Sequence, residues 1–490
     1  MRKWMILTAL LAGLSLQAQT PLQQKVEKIL SEEPLRSAVV GLVARDASGK
    51  VLVSVNPDRM MVPASNMKII TTGAALHAFG PERRFDTRLG YTGQIVDGTL
   101  EGDVYIIGGG DPTLGTRDSI AVKTDALFWR WKTMLRDAGI ERIHGRIIGD
   151  GRAFEGHLEN SSWTYDDTGT SYGTGCSALS FYANAQDYAV SAGAKPGDPV
   201  RVRITYPDTP WMHFTNYGVT GPKGSGNSLY LFTTDLAPYA ELRGSFAIGR
   251  SPKTENFANK WGALTCAYYF WQNLRSTGWD VTGGYADIDR SGYIRGADFV
   301  PLDKAGDPVV VGASPSPALW EIARETNYRS DNFYAESLLR LMGEAATSIA
   351  VYDSCYVAEA EVLRSLGMPE AGLRVEDGSG LSRRNYVSPS WMVSFLRAMQ
   401  GSRSFEAFLT SLPQAGKGTL ASLIPQAPAQ VKSRFRLKSG SMDGVLCYSG
   451  YYLDPSGKPA VTFSLMVNNS TATTARLRDT LGRILLLLVY

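Results

Sequence analysis

Histidine and cysteine are scarce, four of each in 490 residues. The histidines (His77, His144, His157, His213) form no H-E-x-x-H pair, which excludes a zincin. The cysteines (Cys176, Cys266, Cys355, Cys447) are widely spaced, include no C-x-x-C and do not interleave with histidine. That argues against zinc; buried thiols are the default reading, with disulfides left open. A G-x-S-x-G elbow is missing, so an α/β-hydrolase triad is not indicated, and Gly108-Gly109-Gly110 lacks the Lys-Ser/Thr of a phosphate loop. Neither a metal site nor a cofactor is expected. An excess of one charge is missing too. The formal net charge is +3 with no basic block, so nucleic acid and membrane surfaces are not implied as partners. Apolar runs are short: neither Trp4–Leu16 nor Ile484–Val489 can cross a hydrocarbon layer of ~30 Å.

What is present describes a large globular protein. Hydrophobic residues make up 44% and charged residues 20%, and the length suits two or three domains. Residues 1–18 read as a secretory signal: Arg2 and Lys3 open it, Trp4–Leu16 is apolar, and Ala18 is a small residue suited to cleavage. The expected compartment is extracytoplasmic, the periplasm, with no integral span left after signal removal. The segment has no cysteine, so a lipoprotein anchor is not indicated.

Ala38–Arg45 and Val51–Asn56, separated by Asp46-Ala47-Ser48-Gly49, predict a hairpin. Arg434–Lys438, Val445–Leu453 and Ala460–Val467 predict three more strands. Ala475–Tyr490 predicts a closing helix, with Leu477, Leu481, Ile484, Leu485 and Leu488 at helical spacing. Strands at both ends with helices between imply an α/β (α+β) fold: one five-stranded antiparallel sheet drawn from both termini and flanked by helices. Residues 19–85 and 307–490 would form that domain. Residues 86–306 would be a β-rich insertion, with strand-like runs at Gly102–Ile107, Arg142–Ile148, Val200–Tyr206 and Ser228–Thr233 and a helix at Thr124–Ala138.

Three short motifs carry chemistry. Ser65-Asn66-Met67-Lys68 opens an apolar helical pattern, so Ser65 lies in the first turn and Lys68 on the same face one turn on. A serine nucleophile needs a base, and a neutral lysine amine can serve. Bringing that amine from its ordinary value near ~10.4 to neutrality at pH 7 costs about 4 kcal/mol, which burial and a second cation can supply. Ser330-Asp331-Asn332 precedes a strong helical pattern, Phe333–Met342, and doubles as capping chemistry. In a catalytic reading Ser330 relays a proton to the leaving amine, and Asn332 binds the substrate amide and Lys68. Lys438-Ser439-Gly440 ends a predicted strand. Here Lys438 would attract a terminal carboxylate, Ser439 would hydrogen-bond it, Gly440 would admit another chain, and the Ser441 N–H would complete an oxyanion hole. Each motif alone is weak; their order and placement together make a serine acyl-transfer set.

On these residues the chain resembles the D-Ala-D-Ala carboxypeptidase/endopeptidase family, the class C low-molecular-mass penicillin-binding proteins. Gly109–Leu114, Tyr172–Ser180, Ser330–Glu336 and Asp377–Ser382 also match its pattern. The first two motifs stand 265 residues apart, Ser65 to Ser330, where class A β-lactamases have a short gap. The resemblance implies serine-type hydrolysis of the terminal D-Ala-D-Ala bond of peptidoglycan stem peptides, cleavage of cross-links in many members, and inhibition by β-lactam antibiotics. It also implies a third domain nested in the insertion, at roughly 190–240. Ser439 stands where threonine is commoner, and Asp443 follows the motif close to the substrate groove. Asp167, in Trp163–Asp167, resembles a family position that reaches the groove. A β-lactamase or esterase using the same serine, and a non-catalytic peptidoglycan-binding protein, are the alternatives. Asp287-Ile288-Asp289-Arg290-Ser291-Gly292 with Asp298 imitates a calcium loop but lacks its final Glu, and reads as a turn.

Overall fold

The structure is a computed structural model that describes residues 20–288 and 306–490. The expected signal segment and most of the calcium-like loop (Asp289 to Asp298) lie outside the described residues.

Five antiparallel strands form the sheet expected from both termini: β1 (Val39–Asp46), β2 (Val51–Val55), β3 (Phe435–Met442), β4 (Val445–Leu453) and β5 (Pro459–Asn468), in the order β2-β1-β5-β4-β3. Side chains alternate between its faces. Cys447, Tyr451 and Met466 enter one core, while Leu446, Tyr448, Leu465 and Val467 enter the other. Both faces are covered, which is why all nine residues of β4 are buried. One layer contains α1 (Met67–Phe79), α2 (Asn332–Thr347) and α3 (Pro389–Met399). The other contains α4 (Thr474–Leu487) and Pro21–Leu30. Among the described residues no helix is long and apolar enough to cross a membrane.

Two strand expectations change. The strand expected at Arg434–Lys438 starts one residue later, because Arg434 ends the short helix Ala429–Arg434, and β3 then runs to Met442. Its pairing with β4 continues to Met442 opposite Val445, closed by a two-residue turn in which Gly444 has φ 71°. The Lys438-Ser439-Gly440 motif therefore lies inside the strand, not at its end, and Asp443 stands at the hairpin turn. The run Arg142–Ile148 divides into Arg142–Ile143 and Ile147–Asp150, which join different sheets. Gly145 allows the break: a Cβ there would lie 2.0 Å from the Gly102 carbonyl oxygen.

The stretch between α1 and the helix Leu319–Arg329 is built of sheets of two to five strands together with the helices Thr124–Asp137 and Gly262–Ser276. Its first strand, Asp86–Tyr91, pairs with its last, Val309–Pro315, so entry and exit are neighbours. Between them a separate apolar cluster gathers Tyr188, Val190, Val200, Leu231, Leu242 and Phe246.

Candidate active site

The Ser65 turn is built from backbone tension and sheet contacts. Ala64 has φ 46°, and Ala64–Asn66 makes a single 3-10 turn that runs into α1. Asn66 Nδ2 donates to Ser449 Oγ of β4 (2.8 Å), which donates to Ser464 Oγ of β5 (2.9 Å). Below, Gly380 passes so close that a Cβ would lie 1.9 Å from the Ala64 carbonyl oxygen. Residues held at such φ without being glycine cluster at functional sites.

Lys68 is fully buried. Its Nζ donates to Ser65 Oγ (3.0 Å), Asn332 Oδ1 (2.6 Å) and the Ser379 carbonyl (2.6 Å). Burial lowers Lys68 to about 8, and the carboxylates of Asp377, Glu336 and Asp331 oppose that fall. The amine is thus partly neutral near pH 7. Loss of the proton aimed at Ser65 leaves a lone pair in hydrogen-bond reach of its hydroxyl.

Ser330 and Asn332 flank the cap of α2. Asp331 accepts from the Tyr334 N–H (3.0 Å), so the capping role and the site geometry coexist in one triplet. Ser330 ends the preceding helix at φ 59°, a left-handed conformation that costs a non-glycine residue about 1–2 kcal/mol. That turn aims its hydroxyl at Lys438, whose Nζ donates to Ser330 Oγ (2.8 Å) and to the Ser439 carbonyl (2.7 Å). Lys438 is completely buried, so it does not present its ammonium directly at the groove as a strand end would. Burial and the charge on Lys68 hold its amine well below the ordinary lysine range.

The remaining third-motif residues divide by role. Ser439 Oγ donates to Thr419 Oγ1 (3.3 Å). Gly440 admits the protein's own chain: a Cβ there would lie 2.3 Å from the Pro63 carbonyl oxygen and 3.0 Å from the Ser65 nitrogen. A cavity of about 510 Å³ brings Ser65 together with Asp166, Asp167, Arg383, Ser441 and Asp443. Asp167 accepts from Thr164 Oγ1 (2.6 Å), and both Arg383 Nη atoms donate to the Asp443 carbonyl (3.3 Å).

Sequence reasoning gave no role to a second ring of groups. Glu336 accepts from the Ser379 N–H (2.8 Å), and Asp377 from Gly380 N (2.7 Å), Ser382 N (2.6 Å) and Trp163 Nε1 (2.8 Å). Burial together with Asp377 raises Glu336 to about 7. Tyr172 supplies a backbone carbonyl to Asn332 Nδ2 (2.9 Å). The matching stretches Ser330–Glu336 and Asp377–Ser382 contained these carboxylates, but nothing local showed that they converge behind Lys68. All four cysteines are buried and unpaired.

A profile of the family described as D-Ala-D-Ala carboxypeptidase 3 (S13) matches residues 22–485. The chain belongs to this family. A D-alanyl-D-alanine carboxypeptidase of Actinomadura sp. (strain R39) is 29% identical over 469 residues, covering 92% of this chain and 81% of that protein. The D-alanyl-D-alanine carboxypeptidase DacB of Haemophilus influenzae is 24% identical over 447 residues, covering 88% and 85%. In fold, the crystal structure of penicillin binding protein 4 (dacB) from Haemophilus influenzae superposes with a TM-score of 0.77 at 22% sequence identity, covering 94% of this chain and 97% of that one.

Proposed function

We propose that the chain is a serine-type D-alanyl-D-alanine carboxypeptidase/endopeptidase of peptidoglycan stem peptides that also binds penicillin. The observation that carries this reading is Ser65 Oγ held 3.0 Å from a fully buried lysine amine that Asn332 shares. Ser65 Oγ bonds to the carbonyl carbon of the penultimate D-alanine while its proton passes to the Lys68 amine. The backbone N–H groups of Ser65 and Ser441 take the oxyanion. The C–N bond breaks, and the departing amine of the terminal D-alanine gains a proton through Ser330, whose hydroxyl Lys438 holds. Water then hydrolyses the ester and frees Ser65. A β-lactam acylates the same oxygen, but its leaving group stays tethered, so the ester persists.

Within this reading Ser439 binds the terminal carboxylate, and buried Lys438 holds the Ser330 hydroxyl and the Ser439 carbonyl in place. Gly440 keeps β3 close to the Ser65 turn. Asp443 and Asp167 favour a stem side chain that carries an amine. Residues 19–85 and 307–490 form the peptidase domain and 86–306 the insertion, with a nested unit near 190–240. The pairing of Asp86–Tyr91 with Val309–Pro315, which makes entry and exit neighbours, supports a division of this kind. Residues 1–18 direct export, and the enzyme works in the periplasm; truncation of that segment should leave the protein in the cytoplasm on fractionation.

A fluorescent penicillin should label the wild type and not Ser65→Ala, and only the wild type should release D-alanine from a stem pentapeptide. Equal labelling of both would sink the assignment. Asp443→Ser should raise KM by about 2–5-fold for a stem with a free side-chain amine, the size of an exposed charge pair. Acetylating that amine should erase the difference; an effect that persists would remove Asp443 from recognition.

A further inference from the structure

Aromatic side chains gather on the outer face of one small sheet. The strands His213–Asn216, Tyr239–Arg243 and Tyr230–Thr233 pair in that order. Their registers set His213 beside Tyr239, Phe232 beside Glu241 and Tyr230 beside Arg243. Alternation then divides the side chains between two faces. Leu231, Ala240 and Leu242 enter the apolar cluster already described, with Phe214 packed against it. The residues between them face outward, and Tyr239 is 59% exposed. The outward rings are ordered. His213 stacks on Tyr239 (5.1 Å), Tyr230 meets Phe232 edge-on (5.1 Å), and Arg243 lies over the exposed ring of Tyr217 (5.1 Å). Exposed aromatics scattered singly need no explanation, but a contiguous row of them marks an interaction surface.

This row runs into the Ser65 groove. Phe232 stacks on Tyr165 with ring centroids 4.8 Å apart, and Tyr165 is 74% exposed. The neighbours of Tyr165, Thr164, Asp166 and Asp167, line the cavity that holds Ser65. Loop and sheet are also in close backbone contact: a Cβ on Gly169 would lie 1.6 Å from the Leu231 carbonyl oxygen. The aromatic face is therefore a continuation of the groove wall, held against it.

The chemistry of the face selects its occupant. Aromatic faces carry negative quadrupole charge and attract the weakly positive C–H groups on the flat side of a sugar ring. Tyrosine hydroxyls, the Glu241 carboxylate and the Arg243 guanidinium can bond the hydroxyls at its rim. Arg243 pairs with Glu241, so the two leave no excess charge to draw a polyanion. The strand Tyr239–Arg243 extends the face by about 13 Å at ~3.3 Å per residue, which suits a linear polymer rather than a single sugar.

We infer that this face binds the glycan strand that carries the stem peptide being cut. The inference rests on the proposed peptidase reading, which places the stem in the groove, and adds to it a second site for the polymer to which that stem is attached.

The test uses the full chain and three soluble probes: glycan strands stripped of their peptides, strands that still bear pentapeptide stems, and the free pentapeptide. Wild type should bind the stripped strands in calorimetric titration. Tyr230→Ser combined with Tyr239→Ser should weaken that binding about fivefold or more and lower kcat/KM on the stem-bearing strands by a similar factor. D-alanine release from the free pentapeptide should stay within about twofold. Trp129→Ser, at an exposed ring on the helix Thr124–Asp137, should behave as wild type. Penicillin labelling at the wild-type rate checks that each variant is folded; if the double variant fails that check, Tyr239→Ser alone decides, at about twofold or more. No binding of stripped strands by wild type, equal binding by the double variant, or an equal loss in Trp129→Ser would overturn the inference. A wild-type dimer in light scattering that the double variant disperses would assign the face to a second copy instead. A wild type that binds stripped strands but neither releases D-alanine nor takes the penicillin label would overturn the peptidase reading and leave the glycan site standing.

Discussion

Lys68→Ala should lower the rate of acylation by a fluorescent penicillin by about 10²–10⁴-fold with Ser65 still in place, the range for loss of a positioned general base. The argument rests on geometry. All three Nζ hydrogens of Lys68 have acceptors, one of them Ser65 Oγ at 3.0 Å, so removal of that proton converts donor to base without moving an atom. Burial sets the amine at about 8, so wild-type acylation should climb with pH along a limb centred near that value. Three carboxylates raise the amine against burial, and Glu336 is one of them. Glu336→Gln keeps an acceptor for the Ser379 N–H but removes the charge. With less negative charge nearby the ammonium is less favoured, its value falls, and the alkaline limb should move to lower pH. Stopped-flow acylation across pH 5–10 reads both results. A limb unmoved in Glu336→Gln would mean that Glu336 only packs. Near-normal acylation by Lys68→Ala would assign the base elsewhere.

The sheet was legible because period-2 alternation and turn residues punctuate both ends of the chain, and β1, β4 and β5 fall within a residue or two of where alternation puts them. The three motifs were legible as residue types but not as contacts. Lys438 reads as an exposed cation at a strand end; only the pairing of β3 with β4 through Met442 shows that it is interior and bonded to Ser330. Glu336 and Asp377 read as ordinary helix and loop acids, because desolvation is a property of packed neighbours and leaves no local trace in sequence.

Gly440→Ala should cut acylation by about 10²-fold, the loss expected when a nucleophile is displaced by about 1 Å. The added methyl would lie 2.3 Å from the Pro63 carbonyl oxygen, 2.8 Å from the Asn66 nitrogen and 3.0 Å from the Ser65 nitrogen. All three atoms are backbone, so no side chain can swing aside. The turn itself is pinned: Val62 exchanges hydrogen bonds with the Asn468 side chain (2.8 and 3.0 Å), Asn66 is tied to Ser449 (2.8 Å), and Gly380 supports Ala64 from below. Relief must come from shifting either β3 or the Ser65 turn, at about 1–3 kcal/mol, the usual cost of overpacking. The same substitution at Gly457, which has φ 86° and open space around it, should cost only the left-handed conformation and leave acylation unchanged. Thermal unfolding separates the two contributions. If both variants lose comparable stability and only Gly440→Ala loses acylation, the close approach sets the position of Ser65. If both acylate at the wild-type rate, the turn tolerates displacement, and the glycine of the third motif serves the sheet rather than the nucleophile.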